Sequence, residues 1–243
     1  MPAYTYRATG TVAQNSNSAA LTPGAPAGKA VGDLLILYTG NRGNTVSVAS
    51  LAPGWTQIVA DNDAQLPALE IWMRIADGSA TDTPSPDWDG AQDSIAWIEA
   101  YHGDVYTDLA TIVAHTSGVI QAGGQASDIP IPSLTITTHD TLVIAYGIKI
   151  KTATSDDATT ISAGGGLTKR AQVIQTGTAL MGASASAQQT TATNYDGSNF
   201  TRDGTDEAVS GEGVVLSLKT AAAGTSIAAI SHYHSMIRNS ANG

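Results

Sequence analysis

Cysteine is absent from the 243 residues, which excludes a disulfide framework and thiolate metal sites and leaves packing and hydrogen bonds to hold the fold. Charge is scarce as well. Asp, Glu, Lys and Arg make up 13% of the chain, about half the usual share of a soluble domain, so solubility falls to Thr, Ser, Asn and Gln. Eleven basic side chains against twenty-one acidic ones give a net charge of −10, and the basic residues are scattered, which disfavours nucleic acid as a partner. No apolar run approaches the roughly 18 residues of a membrane span. The opening Met1-Pro2-Ala3-Tyr4-Thr5-Tyr6-Arg7 lacks the basic and apolar regions of a secretory signal, so none is expected. Gly-x-Ser-x-Gly and His-Glu-x-x-His are missing too, and the glycine run Gly164-Gly165-Gly166 is not followed by the Gly-Lys-Ser/Thr of a phosphate loop. Neither enzymatic activity nor a cofactor is expected.

What is present is alternation. Period-2 runs bounded by Gly, Pro, Asn and Asp place strands near 4–8, 33–39, 55–60, 68–75, 94–101, 132–137, 141–148, 168–175, 178–187 and 212–219, with almost no helical periodicity. The fold class is all-β, an antiparallel β-sandwich. A weak duplication organises it. Gly32-Asp33-Leu34-Leu35-Ile36-Leu37-Tyr38, Pro53-Gly54-Trp55, Leu69-Glu70-Ile71-Trp72-Met73-Arg74 and Ser94-Ile95-Ala96-Trp97-Ile98-Glu99-Ala100-Tyr101 are followed, in the same order, by Asp140-Thr141-Leu142-Val143-Ile144-Ala145-Tyr146, Gly165-Gly166-Leu167, Ala179-Leu180-Met181-Gly182-Ala183-Ser184 and Gly213-Val214-Val215-Leu216-Ser217-Leu218. Residues 1–31 read as an N-terminal strand and a Pro/Gly loop, 32–221 as one sandwich with pseudo-repeats 32–103 and 140–219, and 222–243 as a tail that makes assembly contacts. The 104–130 connection and a long loop at 188–211 are expected to be free to carry contacts.

The string Gly32-Asp33-Leu34-Leu35-Ile36, the Pro53-Gly54-Trp55-Thr56 turn, the ending Tyr101-His102-Gly103 and the closing Val214-Val215-Leu216-Ser217-Leu218-Lys219-Thr220-Ala221 resemble jelly-roll-like domains of tailed-bacteriophage virion proteins, found in head decorations, head fibres and tail components. The resemblance covers roughly residues 30–221, and its motifs mark strand ends and turns. It implies a jelly-roll-like architecture, a place in the virion, and other virion proteins (the major capsid protein or tail components) as partners of a homo-oligomer.

Three groups of residues are candidates for chemistry. Alternation puts Glu70, Trp72 and Arg74 on one face of their strand and Trp97, Glu99 and Tyr101 on one face of theirs. Were those strands to pair, two carboxylates, an arginine and three aromatics would share a surface able to stack and hydrogen-bond a host glycan, or to supply the two carboxylates of a glycosidase. The simpler reading fills a core or subunit interface with the aromatics and pairs Arg74 with Glu70 or Glu99. Asp87, Asp89 and Asp93, like Asp61-Asn62-Asp63 and, more weakly, Asp203, Asp206 and Glu207, offer oxygen ligands suited to a hard cation, without the spacing of an EF-hand. His232-Tyr233-His234 resembles the HxH motif of phage fibres and spikes, in which pairs from three chains surround a metal on a threefold axis, making a trimer the implied state. These readings converge on a structural virion protein, a capsid decoration or head-fibre component. A receptor-binding or carbohydrate-binding tail module is the alternative, and a jelly-roll glycosidase the third.

Overall fold

The computed structural model describes residues 4–16, 20–43, 47–61, 67–89, 92–103, 105–122, 128–138, 141–151, 160–174, 180–203 and 208–221. The first half carries β1 (Tyr4–Thr9), β2 (Ala13–Asn15), β3 (Leu34–Asn41), β4 (Val48–Ser50), β5 (Thr56–Asp61), β6 (Ala68–Ile75), β7 (Asp87–Trp88) and β8 (Ser94–Gly103). The second carries β9 (Val113–Ala122), β10 (Thr141–Lys151), β11 (Ile161–Ser162), β12 (Thr168–Ile174), β13 (Leu180–Gln189), β14 (Thr201–Arg202) and β15 (Ala208–Leu218). The strands form an all-β antiparallel sandwich, and the long ones pass from the first sheet to the second once, between β8 and β9.

Each half builds one sheet, and the two sheets have the same strand order. The first runs β1-β8-β3-β6-β5, with β2 also on β8; the second, read from its own first strand, runs β9-β15-β10-β13-β12. Even the small ribbons β4–β7 and β11–β14 take the same places along the chain. Register extends the correspondence to single residues. Leu34, Ile36 and Tyr38 on β3 and Leu142, Ile144 and Tyr146 on β10 all belong to the core between the sheets, each pair 108 positions apart. Leu35 opposes Arg74 and Val143 opposes Ala187, so Arg74 and Ala187 are counterparts. Arg74 and Ala187 are 113 positions apart, and that offset also matches Asp82 to Tyr195 and Asp87 to Phe200, in agreement with the bridges Ala20–Asp87 and Ile129–Phe200.

The continuous apolar runs are explained by cover on both faces. All eight residues of β3 are buried. Its inward side chains join Ile71, Met73, Trp97, Tyr101, Val214 and Leu216 between the sheets, where Tyr38 and Tyr146 meet at 5.1 Å and Trp97 lies 5.7 Å from Tyr38 and 5.5 Å from Tyr146. Its outward Leu35 and Leu37 pack with Leu21, Val48, Trp55 and Trp88. On the second sheet the outward Val143, Ala145 and Ala185 lie under Ile129, Ile131, Leu134, Tyr195 and Phe200. The molecule therefore has four layers, each sheet carrying its own lid of irregular chain.

Three expectations about segments are corrected by that layering. Residues 132–137 form no ladder strand; Leu134 makes an isolated bridge to Tyr195, and the alternation reflects an extended lid whose Leu134 and Ile136 point into the outer core. The 104–130 connection, expected to be free, contains β9, which pairs with β15 along the edge of the second sheet; its Ser117 and Gly118 dilute the strand pattern. The long loop at 188–211 is likewise anchored, because Tyr195 and Phe200 are buried in the second lid. The tail at 222–243 lies outside the described residues.

Candidate functional site

The shared surface expected from Glu70, Trp72, Arg74, Trp97, Glu99 and Tyr101 does not form. Strands β6 and β8 lie on either side of β3, and their registers put the two triplets on opposite faces of the sheet. Glu70, Trp72 and Arg74 point into the first lid, whereas Trp97, Glu99 and Tyr101 lie between the sheets. Trp97 and Tyr101 are fully buried, which removes them as a stacking platform for a glycan. Glu70 and Glu99 cannot flank one glycosidic bond, because the sheet itself separates them.

Each triplet is instead bound up in internal contacts. The Glu99 carboxylate accepts from Tyr101 Oη at 2.6 Å, from Ser184 Oγ, and from the more distant Tyr38 Oη at 3.4 Å. Trp97 Nε1 in turn donates to Ser184 Oγ at 2.9 Å, so the two sheets are pinned together by a polar network at their centre. Burial pushes the Glu99 carboxyl above the usual carboxylate range, even though the hydrogen bonds of Ser184 and Tyr101 and the charge of Arg170 pull the other way. Burial also lifts the Tyr38 and Tyr101 hydroxyls well above their ordinary values, reinforced by the neighbouring carboxylate. Because folding raises this acid's pKa, its contribution to stability is complete below the unfolded-state value and is lost as the pH climbs through the folded one. Glu99→Gln should therefore gain stability relative to the parent with rising pH above about 4.3. Thermal unfolding of both proteins from pH 4 to pH 8 checks this, and a difference that stays constant with pH would contradict it.

On the lid side, Glu70 accepts from Val48 N (3.0 Å), Gln57 Nε2 (3.1 Å) and Trp72 Nε1 (2.7 Å). Arg74 pairs with neither Glu70 nor Glu99. Its Nε donates to Asp82 at 2.9 Å, one Nη to Asp77 at 2.6 Å, and the other Nη to the Pro53 carbonyl. Asp82 is fully buried and also accepts from Lys29 Nζ at 2.8 Å and from the Gly78 amide at 3.0 Å. Burial opposes its ionisation, but these hydrogen bonds outweigh burial and hold the carboxyl below the usual Asp range. The turn beside it needs Gly54, whose φ is 91° and whose missing Cβ would collide with the Arg74 guanidinium. This clamp ties the Pro53-Gly54-Trp55 turn and the 77–83 segment to β6. Neither Lys29, Asp77 nor Asp82 stood out in the sequence, because loop acids and a lone lysine carry no periodic signal.

The expected cation ligands do not converge. Asp89 accepts from the Ser47 amide at 3.0 Å, Asp93 lies 3.8 Å from Arg42, and the exposed Asp87 belongs to the β4–β7 ribbon. Among the described residues no group of three or more His, Asp or Glu side chains could hold a metal. Asn62, Asp63, Asp206, Glu207, His232 and His234 lie outside the described residues.

A cleft of about 430 Å³ opens over the outer face of the second sheet, a size within the range of ligand sites. Its floor is Val143 and Ala187, one wall the Gly165-Gly166-Leu167 turn, and the other Gln189, Asn194, Tyr195 and Asp196. Tyr195 is buried with its ring against Gly165, while Asn194 and Asp196 are exposed. The polar part of this wall falls in the segment 188–211, where the sequence led us to expect contacts. The chain matches no protein-family model, no curated protein and no solved structure.

Proposed function

We propose that this chain is a non-enzymatic structural protein of a bacteriophage virion, a capsid decoration or head-fibre component that works through contacts with neighbouring subunits. The observation that supports this reading best is the fate of its chemically capable side chains. Glu99, Tyr101 and Trp97 pin the two sheets together, and Glu70 and Arg74 fasten a lid, so reactive groups serve rigidity. A four-layered block with both sheets roofed suits a part whose task is to keep its shape in an assembly. The net charge of −10 favours a position away from packaged DNA.

Mass spectrometry of density-purified particles from the phage or prophage that carries the gene tests the proposal. The chain is expected in those particles at a copy number matching a capsid or fibre symmetry. Its absence from intact particles, with the protein found free in the lysate, would overturn the reading.

A further inference from the structure

The two halves differ at one corner of their sheets. In each half the first strand carries a one-residue bulge against the last: Arg7, between Tyr6 opposite Tyr101 and Ala8 opposite Ala100, and Ala114, between Val113 opposite Leu218 and His115 opposite Ser217. Leu34 opposes Tyr101 as Leu142 opposes Leu218, so Ala114 is the counterpart of Arg7 and Thr141 that of Asp33. The first half closes this corner with an ion pair. Arg7 Nε lies 2.8 Å from the buried Asp33, whose carboxylate also accepts from the Ala30 amide at 2.7 Å. The second half has lost both members of that pair. A pocket of about 310 Å³ opens at the same corner, lined by Ala114, His115, Thr138, Thr141, Lys219 and Thr220.

This wall offers donors and, among the described residues, no acid. Thr141 is buried, and its Oγ1 has no hydrogen-bond partner. Lys219 is half-buried; its Nζ lies 5.6 Å from the Tyr106 ring, and among the described residues no carboxylate forms a salt bridge with it. His115 is a fixed part of the wall, with Nδ1 2.9 Å from Ser217 Oγ and Nε2 2.8 Å from Thr137 Oγ1. We propose that this pocket binds a carboxylate group supplied from outside the chain, its charge on Lys219 and an oxygen accepting from Thr141 Oγ1. A carboxylate answers both groups at once, whereas a neutral acceptor would leave the ammonium uncompensated. A phosphate would bring further charge to a wall whose one ammonium is Lys219. The ligand stands in for the Asp33 side chain, with the cation supplied by the residue after the last strand instead of by the bulge. The inference goes beyond the virion role and does not depend on it, since a chain absent from virions would keep the same pocket.

Titration of the ¹⁵N-labelled full chain with sodium propionate at constant ionic strength, followed by amide chemical shifts, is the test. Saturable shifts are expected at Ala114, His115, Thr138, Thr141 and Thr220 with a Kd in the millimolar range, about what one charged group achieves. Propionamide has the same shape without the charge and should bind at least about tenfold more weakly. Lys219→Met keeps the stem and should abolish the shifts, and Lys219→Gln should do the same if the first variant fails to fold. Thr141→Val removes a hydroxyl that makes no hydrogen bond, so it should fold like the parent and bind severalfold more weakly. N-acetyl-L-aspartic acid amide separates the two sources of the group: tighter binding than propionate assigns it to an acidic side chain of a partner protein, weaker binding to a small-molecule carboxylate. The proposal is overturned if those amides respond to neither carboxylate, if propionamide matches propionate, if both Lys219 variants respond like the parent, or if inorganic phosphate saturates the same shifts at lower concentration, which would mark a phosphate site.

Discussion

Truncating Trp97 to alanine should lower the unfolding free energy by about 3–5 kcal/mol, the range for removing a buried tryptophan. Two effects add at this position. The indole contacts Tyr38 and Tyr146, one from each sheet, so its removal opens a void between the two halves of the duplication. Its Nε1 also donates to Ser184, which in turn donates to Glu99, so the polar network at the centre loses a member. Trp72, half-buried in the lid with its Nε1 on Glu70, is the natural control, and Trp72→Ala should cost less than half as much. Urea unfolding of both variants measures the difference. A Trp97→Ala cost near about 1 kcal/mol, that of an average substitution, would mean that the sheets do not pack through this residue.

Arg74→Ala should cost about 3 kcal/mol, the lower end for breaking a buried ion pair, because Lys29 remains beside Asp82. The penalty comes chiefly from what is left behind, a fully buried carboxylate deprived of one of its two cationic partners. Its pH dependence identifies the mechanism. A carboxyl held below its usual range contributes stability that is present above the unfolded-state pKa and lost as the pH falls through the folded one. The gap between parent and variant should therefore be widest near neutrality and narrow below about pH 3.9, where Asp is protonated in the unfolded chain. Denaturant midpoints from pH 2.5 to pH 7 read this directly. A gap that does not narrow on acidification would assign the loss to packing of the arginine stem instead of to the ion pair.

How much of this was legible in the sequence follows from where each signal arises. Strand alternation and the repeated apolar runs, Leu34 to Tyr38 and Leu142 to Tyr146, gave the sandwich and its duplicated order, because a strand covered on both faces reads as a continuous apolar run. The lids were not legible. They are extended chain with buried alternate residues, so Leu134 and Ile136 look like a strand, while β9 is an edge strand interrupted by Ser117 and Gly118 and looks like a loop. Alternation correctly placed Glu70 with Arg74 and Trp97 with Glu99, but a face is only half an address. Which strands are neighbours is decided by long-range pairing, and with β3 between them β6 and β8 turn the two triplets away from each other. The cleft was invisible for a different reason, since it is defined by an alanine at the position where the other copy has an arginine.

The four-layered fold rests on the two halves forming sheets of the same strand order, and paired cysteines test this directly because the chain has none to interfere. Ala8 opposes Ala100 where β1 meets β8, and His115 opposes Ser217 where β9 meets β15, the corresponding edge of the second sheet. Directly opposed strand residues lie within the Cα spacing a disulfide requires. Both double-cysteine variants, Ala8→Cys with Ala100→Cys and His115→Cys with Ser217→Cys, are expected to lose their free thiols on mild oxidation as monomers. A pair joining Ala8→Cys to Ala60→Cys, on opposite edges of the first sheet, should keep its thiols. Closure of one edge pair but not the other, or closure of the Ala8–Ala60 pair, would contradict the duplicated order.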